Sequence, residues 1–254
     1  MSGRVVLCMK WGTLYGPDYV NVLFNAVRDH LDGPFRFVCL TDDAAGLAEG
    51  IEARPIPDLG IPPEKFAHGG WPKLAVFARA LHDLSGRMLF IDLDSVITGS
   101  LEPMFELEGS FRAIGGGDGW RRGGPPDAEV ELLSGVFAMD VGGHPEVLDA
   151  FAAEGAGAYA RAVNEQAYIE KTISDWAPWP AGWVVSFKRH LRRSMGADLV
   201  LPVHAPPEDA RIVAFHGDPR PIHLVGRKGL WMDFPHSVRC PVDWLDAYWA
   251  RYGG

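Results

Sequence analysis

The chain has 254 residues, of which 47% are hydrophobic and 22% charged, with a formal net charge of −9. That composition and length describe a globular protein with a sizeable core, as one large domain or two small ones. The acidic balance argues against a nucleic-acid surface, which needs a basic patch, and no apolar stretch is long enough to span a bilayer.

In chain order, Met1-Ser2-Gly3-Arg4 leads into a short apolar run, not a signal peptide, and Arg4 to Met9 reads as a first strand. Asp18 to Leu31 has Val20, Leu23, Phe24, Val27 and Leu31 at helical spacing, with Asp18 as the cap. Phe35 to Leu40 is a second strand, ending in Thr41-Asp42-Asp43, and Ile51 to Arg54 a short third. A loop rich in Pro and Gly covers Pro55 to Gly70. Trp71 to Leu84 reads as a helix with Pro72 in its first turn, and Arg87 to Leu93 as the fourth strand. Cys8, Cys39 and Cys240 lie far apart without metal spacing. The first two fall in apolar runs and read as reduced core residues, consistent with a cytoplasmic protein.

The fourth strand carries the chemistry. Its apolar run, Arg87-Met88-Leu89-Phe90-Ile91, ends in Asp92-Leu93-Asp94. On a continuing strand, side chains at i and i+2 share a face. Two carboxylates so placed can hold a hard divalent cation against an anionic, phosphate-bearing substrate. The alternative is turn chemistry, since Asp readily bends a chain, but no Gly, Pro or Asn follows until Gly99.

The second half is less regular. Phe111 to Ile114 and Val136 to Val141 read as strands around a loop from Gly115 to Pro126 that holds Trp120, Arg121 and Arg122. His144 to Glu154 and Val163 to Ile173 read as helices and Ile212 to Phe215 as a late strand. Pro241 to Tyr252 is a terminal helix with Trp244, Leu245, Tyr248 and Trp249 on one face, for packing or for a partner. The pattern predicts an α/β fold, a mixed central sheet flanked by helices. Its functional loops gather outside the carboxyl ends of the strands, so Lys10 to Tyr15, Thr41 to Asp43 and Asp92 to Asp94 should meet on one edge. No linker divides the chain. It reads as one domain over 1–254, in two halves, 1–110 and 111–254.

Several segments in order resemble retaining GT-A glycosyltransferases of the glycogenin- and galactosyltransferase-like family 8. They are Trp71-Pro72-Lys73-Leu74, Phe90-Ile91-Asp92-Leu93-Asp94, Leu133-Ser134-Gly135-Val136, Asn164-Glu165-Gln166 and Phe215-His216-Gly217-Asp218-Pro219-Arg220-Pro221. The last departs from the family pattern, with Arg220 where Lys is usual and Ile222 in place of Trp. The resemblance implies a Rossmann-like GT-A fold and metal-dependent transfer of a sugar, with retention, from a nucleotide-diphosphate donor. A UDP-sugar is the expected donor, and the acceptor is a carbohydrate, lipid or protein.

It implies Mn2+ or Mg2+ on Asp92, Asp94 and His216. Thr13, Tyr15 and Asp42 would meet the base and ribose. Lys73, Gly217 and Arg220 would meet the phosphates or sugar, and Ser134 and Gly135 the sugar. Glu165 and Gln166 would lie near the anomeric carbon, Glu165 as nucleophile or as a positioning charge. For Asp42 and Asp43, turn formation is the alternative. Two rival readings stand beside this one. One is a haloacid-dehalogenase-type phosphohydrolase with Asp92 as nucleophile, and the other a non-catalytic carbohydrate-binding protein.

Overall fold

The computed structural model describes residues 3–67, 70–125, 127–226, 231–233 and 236–253. His68 and Gly69 of the loop before Trp71, and Pro126 at the end of the glycine-rich loop, lie outside the described residues.

The first half runs β1 (Arg4–Lys10), α1 (Pro17–His30), β2 (Arg36–Thr41), β3 (Glu52–Arg54), α2 (Pro63–Ala67), a 3-10 helix (Trp71–Phe77), β4 (Arg87–Ile91), β5 (Ser95–Ile97) and α3 (Glu102–Glu106). The second runs β6 (Phe111–Gly115), β7 (Leu132–Asp140), α4 (Glu146–Glu154), α5 (Ala158–Arg161), α6 (Glu165–Thr172), β8 (Trp176–Pro178), β9 (Val184–Ser186), a π-helical turn (Phe187–Leu191), β10 (Ile212–Ala214), α7 (Pro221–Leu224), β11 (Trp231–Asp233), β12 (His236–Val238) and α8 (Asp243–Tyr252).

A seven-stranded sheet has the order β3-β2-β1-β4-β7-β6-β8. β1 to β4 are mutually parallel, and β7 runs antiparallel to both β4 and β6. Side chains alternate across the pleat. Val6 and Cys8 face α1 and α8, whereas Val5, Leu7 and Met9 face the 3-10 helix, α4 and α6. Both faces are covered, which is why these strands read as unbroken apolar runs. Cys8 and Cys39 are fully buried free thiols, opposite each other in the β1/β2 register.

On the second face, Phe137 stacks on Phe90 at 4.7 Å, Phe111 at 5.2 Å and Phe77 at 5.8 Å. Each such pair contributes about 0.5–1.5 kcal/mol beyond its buried area. The stack locks β4, β6, β7 and the 3-10 helix together beneath the carboxyl edge of the sheet.

Three expectations change. The helix expected over Trp71 to Leu84 is a 3-10 helix that stops at Phe77. All of its residues are buried, Lys73 included, so no solvent face imposes a 3.6-residue period. Ala78 is extended, and His82 takes φ 54°, in the left-handed region. Asp18 is not the cap of α1: Gly16 is, with Pro17 leading the helix and Asp18 in the first turn, where the helix dipole favours it. Val163 lies outside α6, which Asn164 caps by accepting from the Ala167 N–H at 2.9 Å. The aromatic face of α8 serves packing, one of its two expected uses: Leu245, Tyr248 and Tyr252 are buried in the core cluster that contains α1, and Trp244 and Trp249 pack against it partly buried.

A three-stranded sheet, β5-β10-β9, sits beside the main one. Its short strands are not evident from the sequence, except β10, yet they build the site described next.

Candidate active site

The three predicted loops do meet. Asp42 accepts from the Gly12 N–H at 2.9 Å, Lys10 Nζ donates to the Asp43 carbonyl at 3.0 Å, and the Tyr15 hydroxyl donates to Asp94 Oδ2 at 3.0 Å. Asp92-Leu93-Asp94 is not a continuing strand. β4 ends at Ile91, and the Ser95 N–H bonds back to the Asp92 carbonyl at 3.1 Å, so the motif is a tight turn with Leu93 buried. The turn hands the chain from one sheet to the other. Asp92 N–H bonds the Gly135 carbonyl of β7 at 2.8 Å, while the Asp94 carbonyl accepts from Phe215 N–H at 3.1 Å. Because Ser95 pairs with Ala214, β10 brings His216 into the same cavity as Asp94.

A second device acts at β7. Its register against β6 jumps from Ala113–Phe137 to Ile114–Leu133, which leaves Ser134, Gly135 and Val136 in a bulge. Bulges re-aim side chains next to functional sites. Here Gly135 lies against the Asp92 carboxylate: a Cβ at this position would stand 3.4 Å from Oδ2.

Between these elements lies a cavity of about 330 Å³. Asp92, Asp94, Lys73, Ser134, Gly135, Glu165, Gln166, His216 and Gly217 all line it, and the glycine-rich loop adds Gly117 and Trp120. Lys73 is buried between two carboxylates, with Nζ 2.8 Å from Asp92 Oδ2 and 4.0 Å from Glu165 Oε1, and it also donates to the Ser134 carbonyl at 3.3 Å. Burial pulls its pKa down, but Asp92 and Glu165 together outweigh that and hold the ammonium above its ordinary value. Gln166 Oε1 accepts from the Ser134 N–H at 3.3 Å, tying the start of α6 to the bulge. Gly70 has a specific purpose: any side chain there would collide with the Glu165 carboxylate.

Burial, reinforced by Asp92, pushes the Asp94 carboxyl up to about 7, so two acids crowd a half-buried floor. Such a pair of hard oxygen donors fits a divalent cation, whose charge would relieve the repulsion. The predicted third ligand departs from expectation. Among the described residues no three His, Cys, Asp or Glu side chains are gathered as a metal-binding set. His216 Nε2 is instead 2.6 Å from the buried Ser186 Oγ, and its ring packs 5.3 Å from Trp120. Burial, then Lys188 and Arg189, pushes its pKa down to about 4, so the imidazole is neutral near pH 7.

Other predicted residues sit elsewhere. Thr13 is exposed in the turn after β1, outside the cavity lining, and Asp42 is spent on bracing that turn. Asp43 makes a turn of its own, accepting from Ala45 N–H at 2.9 Å. Tyr15, expected to stack on a base, holds Asp94 with its hydroxyl while its ring packs on Tyr19 at 4.9 Å and under Arg220 at 5.8 Å. Arg220 thus reaches the site through Tyr15. Ser186, Gly70 and Arg189 were missed by sequence reasoning. Gly69-Gly70 before Trp71 was a usable signal, whereas nothing local marked Ser186.

No family model matches the chain, and no curated protein matches it. Solved structures do. The galactosyltransferase LgtC, in complex with donor and acceptor sugar analogs, superposes with a TM-score of 0.56 at 14% identity over 85% of this chain and 88% of that one. The fold is that of a GT-A glycosyltransferase. The glycosyltransferase GlyE of Streptococcus pneumoniae TIGR4 (TM-score 0.58, 11% identity) matches 98% of this chain but only 60% of its own length. The bifunctional WbbM (0.55, 13%) matches 87% of this chain and 47% of its own. Within a GT-A fold, the cavity occupies the carboxyl edge of the parallel strands, where such sheets bind ligands.

The phosphohydrolase reading is not favoured, because the fold is that of a GT-A glycosyltransferase.

Proposed function

We propose that this chain is a glycosyltransferase that moves a sugar from a nucleotide-diphosphate donor to an acceptor, with retention of anomeric configuration. One observation carries the reading: a single cavity in a GT-A fold unites a carboxylate pair (Asp92, Asp94), a buried cation between two acids (Lys73) and a helix start bearing Glu165 and Gln166.

The donor's diphosphate would lie over Asp92 and Asp94, which would hold Mn2+ or Mg2+. The metal, when bound, supplies positive charge to the departing diphosphate. The protein's own groups do the rest. Lys73 fixes Asp92 and sets the position of Glu165. Tyr15 aims Asp94, and Arg220, stacked on Tyr15, adds charge at the rim for a phosphate. The bulge at Ser134 and Gly135 meets the sugar through main chain and hydroxyl. The Lys10 to Tyr15 turn, with Thr13 and Asp42, borders the base, for which uracil is the expected partner. Glu165 serves as nucleophile in a double displacement or as a fixed charge in a same-face attack.

A thermal-shift screen of nucleotide-sugars with and without manganese tests the proposal, since a ligand that binds only the folded state raises Tm. At least one nucleotide-sugar should raise Tm in a manganese-dependent way and be turned over, and Asp92→Asn should abolish both responses. Neither a shift nor turnover with any donor overturns the assignment.

A further inference from the structure

The segment that follows β9 is unlike the rest of this acidic chain. Lys188-Arg189-His190-Leu191-Arg192-Arg193 is a basic run, and no Asp or Glu occurs between Asp175 and Asp198. It begins as a π-helical turn, an element enriched at functional sites. Arg189 lines the cavity and bonds the Gly117 carbonyl, and Arg122 joins from the glycine-rich loop, its N–H bonding the Arg189 carbonyl at 3.2 Å. The excursion that follows closes where His204 N–H meets the Leu191 carbonyl at 2.8 Å, so it is anchored on the cavity wall.

On that excursion, large apolar side chains face solvent: Met195 is 66% exposed and Val200 74%, and Leu199 and Leu201 flank Val200. The acid of the same stretch, Asp198, is 2% exposed and lies 2.9 Å from His236 Nδ1. Leu14, Ile222 and Val163 are further exposed apolar residues, the last 92% exposed, and they lie close in sequence to Tyr15, Arg220 and Glu165.

Apolar side chains projecting beside a cluster of Lys and Arg match the two layers of an anionic bilayer surface, acyl chains within and phosphates outside. An uncharged protein partner would match the apolar groups but not the basic run beside them, whereas an anionic bilayer matches both. We propose that the excursion 192–203, with the basic run before it, docks onto an anionic lipid surface and turns the cavity mouth toward it. Combined with the glycosyltransferase reading, on which this last step rests, the acceptor is a molecule carried at that membrane surface.

The test is flotation of the full chain with phosphatidylcholine vesicles and with vesicles doped with phosphatidylglycerol, at low and high salt. Nucleotide-sugar turnover without vesicles is followed separately, so that failure of docking and failure of the transferase reading are told apart. The chain should float with the anionic vesicles alone and detach at high salt. Lys188→Gln with Arg193→Gln should weaken binding about fivefold per charge removed. Met195→Ser with Val200→Ser, at exposed positions that leave folding intact, should weaken binding tenfold or more while turnover without vesicles is unchanged. Absence of flotation, binding indifferent to the apolar pair, or an apolar pair that instead abolishes self-association of the chain would each overturn the proposal.

Discussion

Lys73 is the residue on which the floor of the cavity balances. Its ammonium is shared by Asp92 and Glu165 and rests over the Phe90 ring at 5.1 Å. Removing one member of a buried ion pair costs about 3–5 kcal/mol, because the other is left uncompensated. Asp92 keeps 31% side-chain exposure, which screens part of that cost. Lys73→Met should therefore lower stability by about 2–3 kcal/mol in a urea titration and also abolish turnover. Asp94 behaves in the opposite sense. Its folded pKa of about 7 lies above the ordinary 3.8, so the folded state binds a proton that the unfolded chain has released between those values. Stability from this group is full below the unfolded value and declines as pH rises through the folded one. Asn mimics the protonated acid, so Asp94→Asn should melt with the wild type near about pH 4 and several degrees above it near about pH 8. Manganese should raise the melting temperature of the wild type and leave that of the variant unchanged.

At the scale of elements, the start of α6 places the two side chains proposed to lie nearest the reacting sugar. Asn164 caps the helix, and Glu165 and Gln166 occupy its first turn. Asn164→Ala should cost about 1 kcal/mol and lower turnover by more than the lost stability explains, while Asn164→Asp, which keeps the cap, restores both. A melting curve beside a kinetic assay separates the two effects. The helix was legible in the sequence as Val163 to Ile173, two residues too long at its start, but its cap was not picked out. β1, β2, β4 and α1 were legible for a related reason: they are long enough for burial on one or both faces to leave a pattern. The joint between the sheets was not. β5 and β9 are three residues each, and their pairing with β10 is set by contacts distant in the chain. The same holds for Ser186, whose bond to His216 follows from that pairing. The Asp pair was legible because an apolar strand ended in it. Its turn geometry was not, since Leu93 is apolar whether it continues a strand or plugs a turn.

Across the whole molecule, stability and chemistry are held by different parts. α8 packs on α1 at the far end of the sequence from it, with Tyr19 against Trp249 at 5.3 Å and Asn25 Nδ2 donating to the Tyr252 carbonyl at 2.8 Å. Leu245 is fully buried in that interface. Leu245→Ala should cost about 2–5 kcal/mol, or about 2–4 °C of Tm per kcal/mol at this size, with the donor KM unchanged. A rise in KM would mean that α8 shapes the cavity as well as the core.

The hand-over at Asp94 bears on any attempt to retarget this protein. Residues 92–97 and 212–217 are stitched by main-chain bonds into one rigid splice, with the Phe215 amide fastened to the Asp94 carbonyl. A chimera that imports one stretch from a structurally similar protein without the other would break that stitch and scatter both walls of the pocket at once. The two segments are a single cassette and should be exchanged together.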